Sequence, residues 1–510
     1  MKKYSDLEFL RLSKWERIKY TIVCFFFAIP GTIWNSLKKI GNGIVSFFKK
    51  VVAEFVDIGL TFKNGDWKTK VSFFILGFGN LARGQILRGL LFLLFQLVFI
   101  GYMILSGFGW MAQLGTLGSQ GPVTAFDPIL DVPVTTYHDN SFKILLYGVL
   151  TIFFIIGFIF TWRINVKQNK ISEEILRSGK KLKSGKQDLR SMIDDKFHAT
   201  LLALPLLGIL IFTVMPIVFM ILVAFTNYDS LHNGYTNELF TWVGWENFGT
   251  MLSWGVGNAG YSAAFGEILS WTLIWAFFAT FTNYFLGMGV AMMINKKGIR
   301  LKKLWRSCLV MTIAVPQFIS LMYVSKMFAP NGIVNGLLMS LNWIDQPLPF
   351  WTDATWAKVT VIILNIWIGI PHLMLMATGI LMNIPADLYE SAKIDGAGPW
   401  KQFSKITLPY MLFITCPYLL TSFTGNMNNF NVIYLLSGGG PSMTDISGVL
   451  GAPGKTDLLV TWLFKMITAS EPAAYNLASV LGILVFLVVA LISLIVYNVM
   501  PSIKNEEDFQ

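Results

Sequence analysis

The chain has 510 residues, of which 54% are hydrophobic and only 14% are charged, and its mean hydropathy is +0.58. This composition is too apolar for a soluble globular protein and predicts a membrane protein. The net charge of +11 comes from Lys and Arg between apolar stretches, without a long basic run interleaved with aromatic residues. It therefore favours contact with anionic lipid over binding of nucleic acid.

Near the start of the chain, apolar side chains recur at helical spacing between Trp34 and Val56, with pairs of lysines between them. The pattern predicts an amphipathic helix in the headgroup layer, within a cytoplasmic or interfacial region at 1–85. A short membrane hairpin and a solvated helix packed on the protein are the alternatives. The apolar stretch from Tyr20 to Ile29 lacks a small-x-small cleavage site, so we interpret it as retained.

Eight segments are long and apolar enough to cross a bilayer, which needs about 20 residues per helix. They lie at roughly 86–107, 144–164, 200–225, 268–294, 305–329, 358–382, 409–436 and 475–500. The predicted fold class is therefore an all-α polytopic membrane protein. We divide it into a two-span extension with a charged linker (86–199), a six-span core (200–500) and a tail (501–510).

The distribution of Lys and Arg predicts how these spans are oriented. Residues 1–85, 165–199 and 295–306 carry fourteen, nine and six of them, whereas the alternate loops 226–267 and 330–357 carry none. Both termini are therefore expected in the cytoplasm, in a multi-pass protein of the cytoplasmic membrane. The same count places the loop between spans six and seven on the cytoplasmic side.

That loop, residues 383–409, contains strong helix start and stop signals. Asn383-Ile384-Pro385 can begin a helix, Gly396 can end it, and Pro399 can open a second short helix that ends near Pro409. The predicted product is a helix, a glycine turn and a second helix outside the membrane. The alternative is an ordinary loop whose residues only cap the flanking helices.

The loop has the pattern Glu-x-Ala, then Gly, then Ile-x-Leu-Pro, and from about 305 to 500 the chain resembles the large permease subunit of maltose/maltodextrin ABC importers. The other matching stretches are 365–371, 384–390, 395–399, 405–409, 428–430, 439–441 and 456–460. The resemblance implies coupling to an ATPase through Glu390, Ala392, Asp395, Gly396, Gly398, Ile406, Leu408 and Pro409. In such a loop Gly396 permits a positive backbone angle or a close approach.

The same resemblance implies a type I ABC permease core in a transport subunit that is not an enzyme. Its implied partners are a second, smaller permease, two ATPase subunits and an external sugar-binding protein, besides membrane lipid. ATP and Mg would be bound by the ATPase subunits, and no cofactor is expected on this chain.

Four carboxamides at Asn426, Asn428, Asn429 and Asn431 fall inside the predicted seventh span. Burying an unpaired amide in hydrocarbon costs several kcal/mol, so these groups are expected to face partners, water or a ligand. Asn426 and Asn429 share one helical face. The alternative is that the asparagines only hold helices together.

Sugar hydroxyls need neutral donors and acceptors beside an aromatic face, and Asn365 and Trp367 in span six can supply both together with the asparagines of span seven. The resemblance implies that substrate contacts come from Asn365, Trp367, Gly369, Asn426 and Asn429. The chain departs from the family at Ile313, Gln317 and His372, where a tyrosine, a serine and an aromatic residue are usual. It also has only a short external segment after span three. The altered hydrogen-bonding residues favour a related oligosaccharide over maltose itself, and the short segment means that contact with the binding protein through a large external domain is not implied.

The remaining chemical motifs are weak. Gly454-Lys455-Thr456 lacks the first glycine of a phosphate-binding loop, and the residues able to bind metal are scattered and have no ligand spacing: Cys24, Cys308, Cys416, His138, His198, His232 and His372. The function implied by the resemblance is the import of maltose/maltodextrin-like oligosaccharides. An ABC permease for another oligosaccharide is the first alternative, and an ion-coupled secondary transporter is the second.

Overall fold

The computed structural model describes residues 45–499 apart from 130, 184, 186, 188–189, 192–193, 195–196, 253–258 and 297, together with 16, 38 and 41–43. The first half of the predicted amphipathic helix, Cys24 and the tail 501–510 lie largely or wholly outside the described residues. The chain separates into two compact units, residues 1–243 and 244–510. The domains predicted from the sequence are groups of spans and cytoplasmic segments, whereas these units are defined by internal packing. The predicted domain boundaries therefore stay predictions.

The first unit contains six described helices and one β-hairpin. The hairpin is not among the elements predicted from the sequence. The helices and strands are α1 (45–64), α2 (Trp67–Val71), α3 (Phe78–Leu81), α4 (Ile86–Gln113), β1 (Val123–Asp127), β2 (Val132–Thr136), α5 (Ser141–Arg177) and α6 (Thr200–Val223). The strands pair antiparallel, with Val123 opposite Thr136. The β-branched residues of this segment suit a strand, although its length is too short to change the fold class.

A buried polar network joins α2 and α3 to α5. Arg83, whose side chain is only 1% exposed, donates to Asp66 at 2.6 Å, to Thr69 at 2.7 Å and to Asn169 at 2.7 Å. Asn165 accepts from the Gly77 amide at 2.9 Å. Because buried charged groups need such partners, the network fixes the chain that leads into α4 against the far end of α5.

The second unit contains the other helices. They are α7 (Glu246–Leu252), α8 (Ala259–Asn295), α9 (Lys302–Ala314), α10 (Gln317–Met327), α11 (Ile333–Ser340), α12 (Ala354–Leu381), α13 (Ala386–Ile394), α14 (Pro399–Met427), α15 (Phe430–Leu436), α16 (Leu459–Thr468) and α17 (Tyr475–Val499).

Among the described residues, seven helices are long and apolar enough to cross a membrane, and α9 with α10 makes an eighth if the pair is one span. The all-α polytopic prediction is therefore confirmed. The predicted fifth span, 305–329, is broken in the structure, because α9 and α10 meet at 90°. Val315 is extended and Pro316 precedes α10, since proline excludes the helical conformation of the residue before it.

The predicted seventh span also differs from the structure at both ends. It begins at Pro399, because the chain runs through a π-helical turn at Phe403–Thr407 and on past Pro409 without a break. The wide turn accommodates a proline that lacks an amide hydrogen. The helix then stops at Met427, and Asn429 begins α15 by accepting the Val432 amide at 3.3 Å. Short amide side chains compete for backbone hydrogen bonds in this way.

The core of the second unit is built along α8 in two apolar clusters. One cluster contains Trp271, Trp275, Ala279, Leu321, Val361, Leu364, Val432, Ile433, Leu436 and Leu458. The other contains Tyr284, Met288, Ala291, Ile294, Met374, Ala377, Met411 and Leu419. Both clusters draw on α8, α12 and the region of α14 and α15, so these elements form one packed body.

Candidate translocation site and coupling helices

A polar layer separates the two apolar clusters of the second unit. On α8 and α12 the polar residues fall between the residues that belong to one cluster and those that belong to the other. The polar residues of α14 and α15 fall between Leu419 of one cluster and Val432 of the other. The members of this polar layer are Thr280 and Asn283 on α8, Asn365 and Gly369 on α12, Asn426 on α14, and Asn429 at the start of α15. Polar groups at mid-depth between apolar ends are typical of the substrate sites of membrane transporters.

Asn426 and Asn429 bond to α8 and to each other. The Asn426 amide donates to Thr280 Oγ1 at 3.0 Å and accepts from Asn429 Nδ2 at 3.2 Å. The indole N–H of Trp275 donates to the Asn426 carbonyl oxygen at 3.1 Å. In the conformation described, these asparagines therefore hold helices together through hydrogen bonds, and both side chains stay partly exposed.

Asn365 and Gly369 lie one turn apart on the face of α12 that meets α8. A Cβ atom at 369 would lie 2.3 Å from Asn283 Nδ2, so the glycine leaves the space that this side chain occupies. Asn283 and Asn365 are 7% and 5% exposed, and Asn283 Oδ1 and Asn365 Nδ2 are buried without a hydrogen-bond partner. Each buried polar atom without a partner lowers the stability of the folded state by about 1–3 kcal/mol.

Trp367 faces a cavity of about 320 Å³ at the bend between α9 and α10. The side chain is 51% exposed. The polar residues that line the cavity with Trp367 are Thr312, Gln317, Ser320 and His372, and Ile313 and Ile368 are among the apolar ones. The volume of this cavity is at the lower end of the range found for ligand pockets. An aromatic face beside neutral donors and acceptors suits a sugar ring.

The five residues predicted to bind sugar do not all line one cavity. Trp367 faces the cavity, Gly369 faces Asn283, and Asn365 lies one turn before Gly369 on the same helix. Asn426 bonds to Thr280, and Asn429 bonds to Asn426. The residues noted as departures from the family, Ile313, Gln317 and His372, line the same cavity as Trp367. Sequence reasoning missed Thr280 and Asn283, because a single Thr or Asn in an apolar span gives no periodic signal.

The predicted helix, glycine turn and helix of the loop 383–409 are present. Helix α13 ends at Ile394 and is followed by Gly396, whose φ is +73°. The amides of Gly396 and Ala397 donate to the carbonyls of Lys393 and Ala392 at 3.0 and 2.8 Å. This pattern of two backbone hydrogen bonds is a common way for a helix to end, and it favours glycine at the position with positive φ. A Cβ at 396 would meet nothing within 4 Å, so the backbone angle, and not crowding within the chain, requires glycine here.

The two helices of this loop are tied together and leave apolar side chains exposed. The hydroxyls of Tyr389 and Thr407 are 2.9 Å apart, and Gln402 Nε2 donates to the Ala397 carbonyl at 2.7 Å. Ile394 and Trp400, on either side of the glycine turn, are 87% and 75% exposed. Exposed Trp and Ile on a rigid support are typical anchors of a protein interface.

The other residues predicted for the loop differ in exposure. Glu390, Asp395, Gly398 and Pro409 are exposed, whereas Ala392, Ile406 and Leu408 are half-buried. The first group can meet a partner directly, and the second packs beneath the exposed surface. Asn383-Ile384-Pro385 precedes α13, with Pro385 at the cap position rather than inside the first turn.

The weak chemical motifs have structural partners. Lys455 Nζ lies 3.0 Å from carboxylate oxygens of Glu267 and Asp445, and Thr456 Oγ1 donates to the Gly440 carbonyl. Across the part of the chain that the structure describes, His, Cys, Asp and Glu form no group of three or more able to hold a metal ion. Cys308 and Cys416 are free thiols.

Residues 283–504 match the family described as "Binding-protein-dependent transport system inner membrane component". The chain is 33% identical to the maltodextrin transport system permease protein MdxF of Bacillus subtilis, over 85% of this chain and 95% of that protein. It is 32% identical to the galactooligosaccharides transport system permease protein GanP of the same species, over 85% of this chain and 97% of that protein.

A third relative is the maltose/maltodextrin transport system permease protein MalF of Escherichia coli. It is 33% identical over 270 residues, which are 52% of this chain and 50% of that protein. Together with the spans of the fold, these likenesses show the family. The chain belongs to the binding-protein-dependent inner-membrane permeases, as the large permease subunit of a sugar ABC importer and not itself an enzyme.

Proposed function

We propose that this permease imports maltodextrin-like oligosaccharides, and that the polar layer and the cavity beside Trp367 form its substrate path. The observation that carries the proposal is the polar layer itself. Neutral amides from four elements lie between two apolar clusters, without an acidic residue among them. Neutral amides suit sugar hydroxyls, whereas an ion-coupled transporter would be expected to hold carboxylates there.

A galactooligosaccharide is the second candidate substrate. It is favoured by the 32% identity to GanP, which is nearly equal to the identity to the maltodextrin permease. The cavity beside Trp367 bears Gln317 and His372. These side chains supply the hydrogen bonds that would discriminate between the two kinds of linkage.

The helix pair at 386–402 is proposed as the docking surface for an ATPase subunit that binds ATP and Mg. Trp400 and Ile394 would enter a groove of that subunit, and Glu390 would pair with one of its basic residues. Both chain termini and this loop would lie in the cytoplasm, as the Lys and Arg distribution predicts. A second, smaller permease, a second ATPase copy and an external sugar-binding protein complete the proposed assembly.

The experiment is transport by the full assembly reconstituted in lipid vesicles. Radiolabelled maltotriose and a galactotriose of β-linked units are supplied with the binding protein, and ATP is supplied to the ATPase. We expect ATP-dependent accumulation of the maltotriose with a preference of at least about tenfold, which corresponds to 1.4 kcal/mol. Preference for the galactotriose would support the second candidate, and accumulation of neither would contradict both.

A further inference from the structure

We propose that Asn283 on α8 is a further substrate-contacting residue, which together with Asn365 on α12 binds one hydroxyl of the transported sugar. The assignment rests on the proposed function, since it takes the oligosaccharide as the ligand. Asn283 lies outside the set of positions that the family resemblance implies. It is identified here by its burial, its unpaired oxygen and its position against Gly369.

The two asparagines present complementary unpaired atoms in one helix interface. Asn283 Oδ1 is an acceptor without a donor, and Asn365 Nδ2 is a donor without an acceptor. Asn283 occupies the space that Gly369 leaves, and Asn365 is one helical turn before Gly369. Residues one turn apart have Cβ atoms separated by about 5–6 Å. A single small polar group can therefore reach both amides.

A hydroxyl group satisfies both atoms at once. It donates its hydrogen to Asn283 Oδ1, and its oxygen accepts from Asn365 Nδ2. The ring oxygen and the glycosidic oxygen of a sugar can only accept, so they leave Asn283 Oδ1 unpaired. The two asparagines therefore select a hydroxyl group. Loss of that one hydroxyl from the sugar should weaken binding more than loss of any other.

The Asn426 amide, in the same layer, is paired within the chain in the conformation described. Asn426 Nδ2 donates to Thr280, and Asn426 Oδ1 accepts from Asn429, so both atoms of that amide are used within the chain. Asn283 and Asn365 are buried at least as deeply, yet each keeps one atom unpaired. Buried polar atoms in native proteins are almost always paired, which points to a ligand as the missing partner.

Gly369 acquires a positioning function in this arrangement. It does not contact the sugar through a side chain, since it has none. It leaves the space in which the Asn283 amide lies beside the same face of α12 as Asn365. The glycine thus acts on the substrate through Asn283.

The test uses the full transporter reconstituted with its partner subunits, and it measures kcat/KM for uptake of maltotriose and of a series of its monodeoxy analogues. For the wild type, we expect kcat/KM for one analogue to be about 100-fold below that for maltotriose, because its missing hydroxyl leaves two buried amides unpaired. In Asn283→Leu, maltotriose uptake should fall toward that of this analogue. The ratio between the two should then drop below about threefold, with the other analogues keeping their ratios.

A second variant and a matched control complete the design. Asn365→Leu should remove discrimination at the same hydroxyl, whereas Thr282→Ala, whose hydroxyl donates to the Phe278 carbonyl of its own helix, should keep the wild-type pattern. If Asn283→Leu does not assemble, Asn283→Ser is measured against the same series. The shorter side chain cannot reach the hydroxyl, so the same loss of discrimination is expected.

The contrary results separate the two proposals. If the variants lower uptake of maltotriose and of every analogue by the same factor, the asparagines serve packing only and the assignment to the substrate is overturned. The same holds if uptake and discrimination are unchanged. A wild-type transporter that takes up none of the series overturns the proposed substrate, and the assignment with it.

Discussion

Gly369 faces the side chain of Asn283 so closely that a Cβ atom has no place between them. In Gly369→Ala the new methyl group would displace the Asn283 amide, whose end can rotate. We therefore expect a loss of only about 1 kcal/mol in stability, but a rise of about tenfold in KM for sugar uptake. Thermal unfolding of the purified complex and uptake kinetics measure the two effects. An unchanged KM would contradict the positioning function of the glycine.

Trp367 is half exposed toward the cavity at the bend of α9 and α10. Truncation should therefore cost little packing, while removing the aromatic face available to a sugar ring. We expect Trp367→Ala to lower kcat/KM for uptake by about tenfold or more and Trp367→Phe to keep most of it.

Trp356→Ala is the matched control for Trp367, because Trp356 is similarly exposed on the same helix and packs on Phe350 away from the cavity. Its uptake kinetics should stay close to those of the wild type. Equal losses in Trp367→Ala and Trp356→Ala would show that the effect is one of folding.

At the scale of elements, the turn after α13 has two requirements: a residue that tolerates a positive φ at 396, and a docking surface without a side chain there. Asn tolerates a positive φ, whereas Ala does so poorly. We expect Gly396→Asn and Gly396→Asp to leave the complex assembled but to uncouple ATP hydrolysis from uptake, since any side chain would disturb the docking surface. Uptake and ATPase rates are measured on the same vesicles, and normal uptake by Gly396→Asp would count against the coupling function.

Gly298 offers the matched control for this turn. Its φ is +97°, a Cβ there would meet nothing within 4 Å, and it lies in the basic loop between α8 and α9. Gly298→Asn should therefore keep wild-type coupling. Uncoupling by both variants would indicate a general sensitivity of loops on this side rather than a specific docking surface.

The polar network around Arg83 is a second element-scale feature, in the first unit. The guanidinium is almost fully buried and bonds to Asp66, Thr69 and Asn169. In Arg83→Ala these partners lose their charge-assisted bonds, and we expect a loss of about 3 kcal/mol in stability. Lys68→Ala, which removes a half-buried side chain whose amine donates a single hydrogen bond to the Ala82 carbonyl, should change stability by about 1 kcal/mol or less. Equal stability of both variants would contradict this account of the network.

The same network predicts a dependence on pH. Partial burial alone would raise the pKa of Asp66, but the hydrogen bonds from Thr69 and the charge of Arg83 outweigh it, so the pKa lies below the ordinary value of 3.8. A lowered pKa in the folded state stabilises it above pH 3.8, and this contribution is lost as the pH falls through the folded-state pKa. Limited proteolysis between pH 5 and 3 should show it, and Asp66→Asn should reduce it.

At the scale of the whole molecule, hydropathy was enough to predict the spans, because each needs a long apolar run in sequence. The breaks were harder to predict. Pro316 lies inside an apolar run, and only the structure shows that it turns α10 by 90°. Likewise, the carboxamides were expected inside a continuous span, whereas Asn429 caps a new helix. Such outcomes depend on tertiary packing, which overrides local propensity.

The residues of the polar layer, which we propose as the substrate path, differ in how easily the sequence identifies them. Asn426 and Asn429 stand out in sequence as part of a group of four carboxamides, and Asn365 and Trp367 stand out because they fall in a stretch that matches the family. Asn283 does not stand out until its contact with Gly369 is seen. Pairing across two helices distant in sequence is a property of packing, and one sequence carries no direct signal of it.

The proposed orientation is a prediction for the whole chain. In a background without its native cysteines, Glu390→Cys should react with an impermeant thiol reagent only from the cytoplasmic side, and Asp353→Cys only from the outside. Both side chains are exposed, so neither should be shielded by the chain itself. Reaction of Glu390→Cys from outside would reverse the topology and would place the coupling loop out of reach of an ATPase.

The most direct test of the account is uptake of radiolabelled maltotriose by vesicles that contain this chain with its partner permease, ATPase and sugar-binding protein. We predict accumulation only when ATP is present on the side of the membrane that bears Glu390, with ATP hydrolysis stimulated by the sugar-loaded binding protein. Accumulation without ATP, driven by an ion gradient across the same vesicles, would contradict it.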